Sequence, residues 1–136
     1  MPSVYSEKIC PACEEEYRGR GKHCSQKCSN DSKRHEKIKL WLEGKHNGLR
    51  GKTATAAWIK RWLRETKDNS CVKCGWDEIH PITNNVPVEL NHIDGNYLNN
   101  RPENLELLCP NCHSLTDSYR SLNIGNGRPY DRSNKK

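Results

Sequence analysis

A chain of 136 residues with 32% apolar residues, 29% charged residues and no Phe is one ordinary domain or two very small ones, and it cannot bury a large hydrophobic core. It carries eight Cys and a formal charge of +6. The opening run MPSVYSEKICPAC has no apolar signal segment and no stretch is long enough to span a bilayer, so the expectation is not a secreted disulfide scaffold or a membrane protein but thiols binding metal in a reducing cytoplasm.

Two four-cysteine zinc sites would use all eight thiols and supply folding energy that a small core lacks. With eight thiolates and two zinc ions counted, the net charge falls to about +2. The basic excess lies in the first half, where residues 1–70 hold 16 Lys and Arg against 9 Asp and Glu, while residues 71–136 hold 7 against 8. An electrostatic grip on a polyanion belongs in that half.

Residues 1–44 read as an N-terminal zinc-binding module. Cys10, Cys13, Cys24 and Cys28 are spaced CxxC, ten residues, CxxxC, a compact zinc-site pattern. The second pair runs into SNDSKRHEKIKLWLEG, which predicts a helix capped by Ser29, Asn30 or Asp31 and ended by Gly44. Ile38, Trp41 and Leu42 form its apolar stripe, and Lys33, Arg34 and Lys37 make the remainder basic. Those three are candidate nucleic-acid contacts; a solvated face around a zinc staple is the plainer alternative.

Residues 45–68 read as a linker and a helix. GKHNGLRGK is Gly-rich and basic. TATAAWIKRWLRETK then pairs Trp58 with Trp62 and Ile59 with Leu63 at i, i+4, with Lys60 and Arg61 between them, which predicts a short amphipathic helix. Lys60 and Arg61 are further candidates for nucleic-acid contact. The tryptophans are expected to pack against the zinc modules rather than stack on bases.

Residues 69–126 form the second module. Cys71, Cys74, Cys109 and Cys112 are two CxxC pairs enclosing 34 residues, a second structural zinc pattern. PVELNHI predicts a strand, DGNYLNNRPEN a turn-rich loop, LELL a second strand and HSLTDSYRSL a helix that would place His113 and Asp117 on one face. His80 has no assignable partner. From Asn123 the chain is Gly-rich and polar and reads as a mobile or DNA-contacting extension, with 127–136 a flexible basic tail.

The order His92, Asn104, His113 within VELNHIDGNYLNNRPENLELLCPNCH, flanked by the two Cys pairs, resembles the HNH endonuclease family, most closely small bacterial and phage-encoded members with an LCPNCH core, over roughly residues 71–126. The resemblance implies a small α+β fold: a ββα-metal module (His-Me finger) stapled by structural zinc, preceded here by a treble-clef or ribbon-like zinc module. It implies that His92 is the general base, an imidazole with an ordinary pKa of about 6.5. By the same resemblance Asn104 positions the loop and His113 binds one catalytic Mg²⁺ or Mn²⁺. The substrate would be double-stranded DNA, nicked or cut through, and the enzyme a monomer or homodimer.

One position departs from the family. Where it usually has an acidic residue or His before the base, this chain has Asn91, a neutral donor that Asp117 would supplement. Asn91 and His92, as neighbours, serve one site only if the strand ends or bulges there. Arg101 is the loop residue expected to touch phosphate. Two alternatives stay open: a non-catalytic zinc protein that binds DNA on the same scaffold, and a nuclease for RNA or structured nucleic acid.

Overall fold

The computed structural model describes residues 4–125, so the basic tail at 127–136 lies outside the described residues. The chain divides between Leu40 and Trp41 into two compact units.

In the first unit, β1 (Glu7–Ile9) pairs antiparallel with β2 (Glu16–Arg18), with Lys8 opposite Tyr17 and an Arg18–Glu7 ion pair across the ladder. The turn between them is a knuckle: Glu14 N–H donates to Cys10 O at 2.8 Å and Cys10 N–H to Glu15 O at 2.9 Å. Helix α1 spans Gln26–Leu42. Its cap is Ser25, whose hydroxyl accepts the Cys28 N–H at 3.2 Å, so the predicted caps Ser29, Asn30 and Asp31 fall inside the helix. The zinc-type spacing explains the shift, because Cys28 reaches the other thiols from the first helical turn. Gly44, at φ 76°, ends the run as predicted, its N–H donating to Trp41 O at 3.0 Å.

The segment read as a linker, 45–68, belongs to the second unit. The GKHNGLRGK run is not a free tether: β3 (Leu49–Arg50) and β4 (Ala54–Thr55) form a hairpin, and Ala56 N–H donates to Gly48 O at 2.8 Å. Gly48 sits at φ 72°, and a Cβ there would lie 2.6 Å from Ile59 Cδ1 and 2.9 Å from Asn100 Cβ. Glycine is required at this position for both conformation and space. Helix α2 (Ala57–Thr66) follows, as the i, i+4 pairs predicted, burying Ile59 and Leu63.

Those two side chains meet Trp41, Val86, Val88, Leu105 and Leu107 in the main core, each contributing roughly 1.5–3 kcal/mol by burial. Trp41 stands edge-on to Trp58 at 5.7 Å and to Trp62 at 5.1 Å. The tryptophans of α2 thus pack, as expected, against an apolar core to which the second zinc-type module contributes Val86, Val88, Leu105 and Leu107. A second cluster holds Leu108, Cys71 and Cys109, and Trp76 packs against both.

Strand β5 (Glu89–His92) pairs antiparallel with β6 (Leu105–Leu108), with Asn91 opposite Glu106 and His92 opposite Leu105. Helix α3 (Pro110–Ser114) starts at Cys109, whose sulfur accepts the Cys112 N–H at 3.3 Å. It is much shorter than HSLTDSYRSL predicted. Thr116 Oγ1 donates to His113 O at 2.8 Å, competing with the backbone for that carbonyl, and Leu115 is 81% exposed, so an extended helix would have no apolar face to bury. The chain turns back instead, through a 3₁₀ turn at Arg120–Leu122.

One turn geometry occurs three times among the described residues. The Cys10–Glu15 pattern recurs at Cys71–Trp76 (2.9 and 2.8 Å) and at His80–Asn85 (3.0 and 2.9 Å), with the fifth residue left-handed each time: Glu14 at 60°, Gly75 at 77° and Asn84 at 55°. In the third copy His80 stands where the first Cys stands in the others. Its Nδ1 accepts the N–H groups of Ile82 and Thr83 at 3.2 and 3.3 Å, which gives that histidine a turn-forming role.

Candidate active site and two thiol clusters

The two predicted thiol sets assemble. Cys10, Cys13, Cys24 and Cys28 form one cluster and Cys71, Cys74, Cys109 and Cys112 the other, with all sulfurs of each set within 4.8 Å of one another. Three of the sulfur–sulfur edges are 3.6 Å (Cys13–Cys24), 3.5 Å (Cys24–Cys28) and 3.7 Å (Cys74–Cys109). A tetrahedron with Zn–S bonds of about 2.3 Å has edges of about 3.8 Å, so both clusters fit a zinc ion. All eight thiols are unbridged.

Protons divide unequally within each cluster. Burial raises Cys10, but N–H groups of Cys24, Ala12 and Cys13 pointing at its sulfur outweigh that and lower it to about 6. Burial likewise raises Cys71, and the N–H groups of Cys109, Cys74 and Lys73 lower it to about 6. Hydrogen bonding to neighbouring sulfurs, Cys28 first for Cys24 and Cys109 first for Cys112, pushes Cys24 and Cys112 up to about 12.

A separate cleft of about 570 Å³ lies within the second unit, lined by Lys60 of α2, Asn91 and His92 of β5, Gly95 of the following loop, His113 of α3 and Asn123. Asn91 and His92 both reach it because β5 ends at His92: Gly95, at φ 74°, sends its N–H back to His92 O at 2.9 Å. Asn91 is buried, and its Nδ2 donates to Glu106 Oε1 at 2.8 Å, leaving the amide oxygen as its remaining donor to a cation.

His113 Nδ1 hydrogen-bonds the Glu89 carboxylate, and the ring lies edge-on to Tyr119 at 5.3 Å. With the proton on Nδ1, the lone pair is on Nε2, the arrangement that orients metal-binding imidazoles. Glu89 escapes notice in the sequence, although its position two residues before Asn91 puts both on one strand face. The combination of an amide oxygen and an imidazole nitrogen fits a divalent ion, and it carries no charge. Asp117 is exposed, lies beyond the end of α3 and does not line the cleft, so the predicted shared helix face with His113 does not form.

Asn104 braces the loop that leaves β5. Its Oδ1 accepts the Asp94 N–H at 3.1 Å, and its Nδ2 donates to Asp94 Oδ1 at 2.9 Å and Asn99 O at 2.8 Å. Burial raises the Asp94 carboxyl, but hydrogen bonds from Asn99, Asn96 and Asn104 and the nearby His92 bring it below its ordinary range.

His92 Nε2 lies 2.7 Å from Asn100 Oδ1. Asn100 is buried, and a loop Asn of this kind gives no sequence signal, because its neighbours come from residues 41–55.

Of the predicted nucleic-acid residues, Lys60 lines the cleft, where burial and Arg64 lower its ammonium pKa against an opposing pull from Glu89. Arg61 points elsewhere, in an i, i+4 ion pair with Glu65 at 2.8 Å. Arg101 is exposed, 3.6 Å from Glu103, and lines a smaller neighbouring cavity with Asn99 and Asn100. Lys33, Arg34 and Lys37 lie on α1 in the first unit, Lys33 and Lys37 exposed and Arg34 half-buried.

Across a stretch of 59 residues the chain is 46% identical to the H-N-H endonuclease F-TflIV of Escherichia phage T5. The similarity supports the HNH endonuclease family. The aligned stretch is 43% of this chain, and the chain spans about a quarter (25%) of the length of that relative. No family model matches the chain, and no solved structure matches it. Among the described residues, no helix is long and apolar enough to cross a membrane.

Proposed function

We propose that the protein is an HNH endonuclease that hydrolyses phosphodiester bonds of double-stranded DNA, with β5, β6 and α3 as its ββα-metal module. The observation that carries this reading is that His92, Asn91 and His113 line one cleft while Asn104 braces the loop between them. His92 acts as general base, taking a proton from the water that attacks phosphorus. Asn91 Oδ1 and His113 Nε2 would hold one divalent ion, which when bound supplies charge stabilisation at the scissile phosphate and the leaving 3′ oxygen. Lys60, in the same cleft, offers a cation to a phosphate oxygen. Asn104 keeps the base-bearing loop in register.

The eight thiols would hold two structural zinc ions; a closed tetrahedral thiolate site has no open position for substrate, so these ions stabilise the fold. The basic residues of α1, Lys33, Arg34 and Lys37, would grip the DNA backbone, and Arg101 would add a contact from the loop. Asn91 and His113 are neutral donors with Asp117 outside the cleft, and transition metals suit an imidazole better than Mg²⁺ does. Mn²⁺ should therefore support more turnover than Mg²⁺ at equal concentration. Cleavage of supercoiled plasmid with each metal tests the activity, and equal or better turnover with Mg²⁺ would overturn the ligand assignment.

The uncharged ligand pair also favours a second reading, a DNA-binding protein that has kept the scaffold without the chemistry. It predicts salt-sensitive duplex binding and no strand cleavage in any divalent metal.

A further inference from the structure

The general-base reading leaves open which imidazole nitrogen of His92 accepts the proton, and the structure contains a device that decides it. Asn100 is 3% exposed, and each polar atom of its side chain faces a partner. Its Oδ1 receives the Thr55 hydroxyl at 3.1 Å and faces His92 Nε2 at 2.7 Å, while its Nδ2 donates to Asn47 O at 3.4 Å. The amide orientation is fixed from outside the pair. A backbone carbonyl such as Asn47 O can only accept, so it requires the NH₂ end, and the oxygen end must turn to Thr55 and His92. An amide oxygen is likewise only an acceptor, so Nε2 must carry the proton of the neutral ring.

The residue is also held in place through its backbone. Asn100 O receives the Trp41 indole N–H at 2.6 Å, and Gly48 lies so close that a Cβ would come within 2.9 Å of Asn100 Cβ. Trp41, Asn47, Gly48 and Thr55 all precede the segment that resembles the nuclease family.

We infer that Asn100 is the positioning residue that fixes the tautomer of His92, protonating Nε2 so that Nδ1 accepts the proton of the attacking water, and that the hairpin of residues 47–55 is part of the catalytic module through its hold on Asn100. The catalytic consequence rests on the proposed general-base role; the tautomer does not. A base held in the wrong tautomer cannot accept a proton at the required atom however well it is placed.

The test is two-bond ¹⁵N–¹H correlation of the zinc-loaded full chain at about pH 8.5, two units above the ordinary imidazole value, paired with plasmid cleavage kinetics in Mn²⁺. Wild type should show His92 protonated at Nε2. Asn100→Leu should give mixed tautomers and a roughly ten- to hundredfold lower kcat with little change in KM, and Asn100→Asp, which keeps the acceptor toward His92 but sets a second one against Asn47 O, should recover the Nε2–H signature and part of the loss. Zinc content of two per chain checks that each variant is folded. If Asn100→Leu does not fold, the wild-type spectrum and Thr55→Ala, which releases one hold on the amide oxygen, give the same decision. A wild-type ring protonated at Nδ1, or an Asn100→Leu variant with wild-type tautomer and kcat, would overturn the inference. Failure of the general-base reading looks different: His92→Ala cleaves as well as wild type, while the Nε2–H signature still supports the hold by Asn100.

Discussion

His113, on α3, donates its Nδ1–H to the carboxylate of Glu89, the first residue of β5, so the proposed metal ligand is held by the strand that carries the proposed base. A carboxylate accepting that proton fixes the tautomer and the ring plane, leaving the distal nitrogen to face the ion. Glu89→Gln should therefore weaken the divalent ion about ten- to hundredfold. Metal titration of cleavage rate would show this as a rightward shift with near-normal rate at saturation, and an unshifted curve would exclude the role.

Asn104 makes opposite demands with its two amide atoms, accepting from Asp94 N and donating to Asp94 Oδ1 and Asn99 O. Asn104→Asp keeps the acceptor but turns the donor into a second acceptor facing two others. It should cost about 1–3 kcal/mol, at least as much as Asn104→Ala, read by denaturant unfolding of the zinc-loaded protein. A fully stable Asp variant would show that the amide does not brace this loop.

Gly95 combines φ 74° with a close approach: a Cβ there would lie 2.6 Å from Asn123 Oδ1 and 2.8 Å from Ser118 Cβ. Asn123 also donates to Gly95 O at 2.7 Å, so a residue read as the start of a mobile extension closes one side of the cleft. Gly95→Ala should destabilise by roughly 1–3 kcal/mol through strain alone, and cleavage should fall further than stability because His92 shares the turn. Thermal unfolding beside activity separates the two.

Zinc affinity should rise with pH. Bound thiolates carry no proton, whereas in the metal-free clusters Cys24 and Cys112, pushed up to about 12, are protonated near neutrality and must release theirs. Below about 6, Cys10 and Cys71 also take up protons, so the dependence steepens and zinc leaves on acidification. A chromophoric chelator followed from pH 8 to 5 should report two equivalents per chain released with increasing steepness, together with loss of folded structure, since roughly 10 kcal/mol or more of metal binding is coupled to folding at such sites.

The zinc-type Cys pairs, helix α2 and strands β5 and β6 were legible in the sequence because each CxxC or CxxxC pair, i, i+4 pair and apolar run is spaced within a few residues. The length of α3 was not, because Thr116 and the exposed Leu115 end it by local competition that a helical pattern conceals. Nor were the roles of Asn100 and of residues 45–55: the indole of Trp41 reaches Asn100 across 59 positions, and no periodicity encodes such a contact. Glu89 was readable in principle from strand alternation. The family resemblance pointed to His92, Asn104 and His113 but carried no information on what holds them.

The role proposed for His92 is the proton transfer of phosphodiester hydrolysis. Its most direct test is cleavage of supercoiled plasmid by purified, zinc-loaded wild type and His92→Ala in Mn²⁺, with duplex binding measured in parallel. Wild type should yield nicked or linear DNA, His92→Ala should lose about 10²–10⁴-fold in rate, and both should bind duplex equally. Equal cleavage by the two proteins, or binding without cleavage by wild type in any divalent metal, would contradict it.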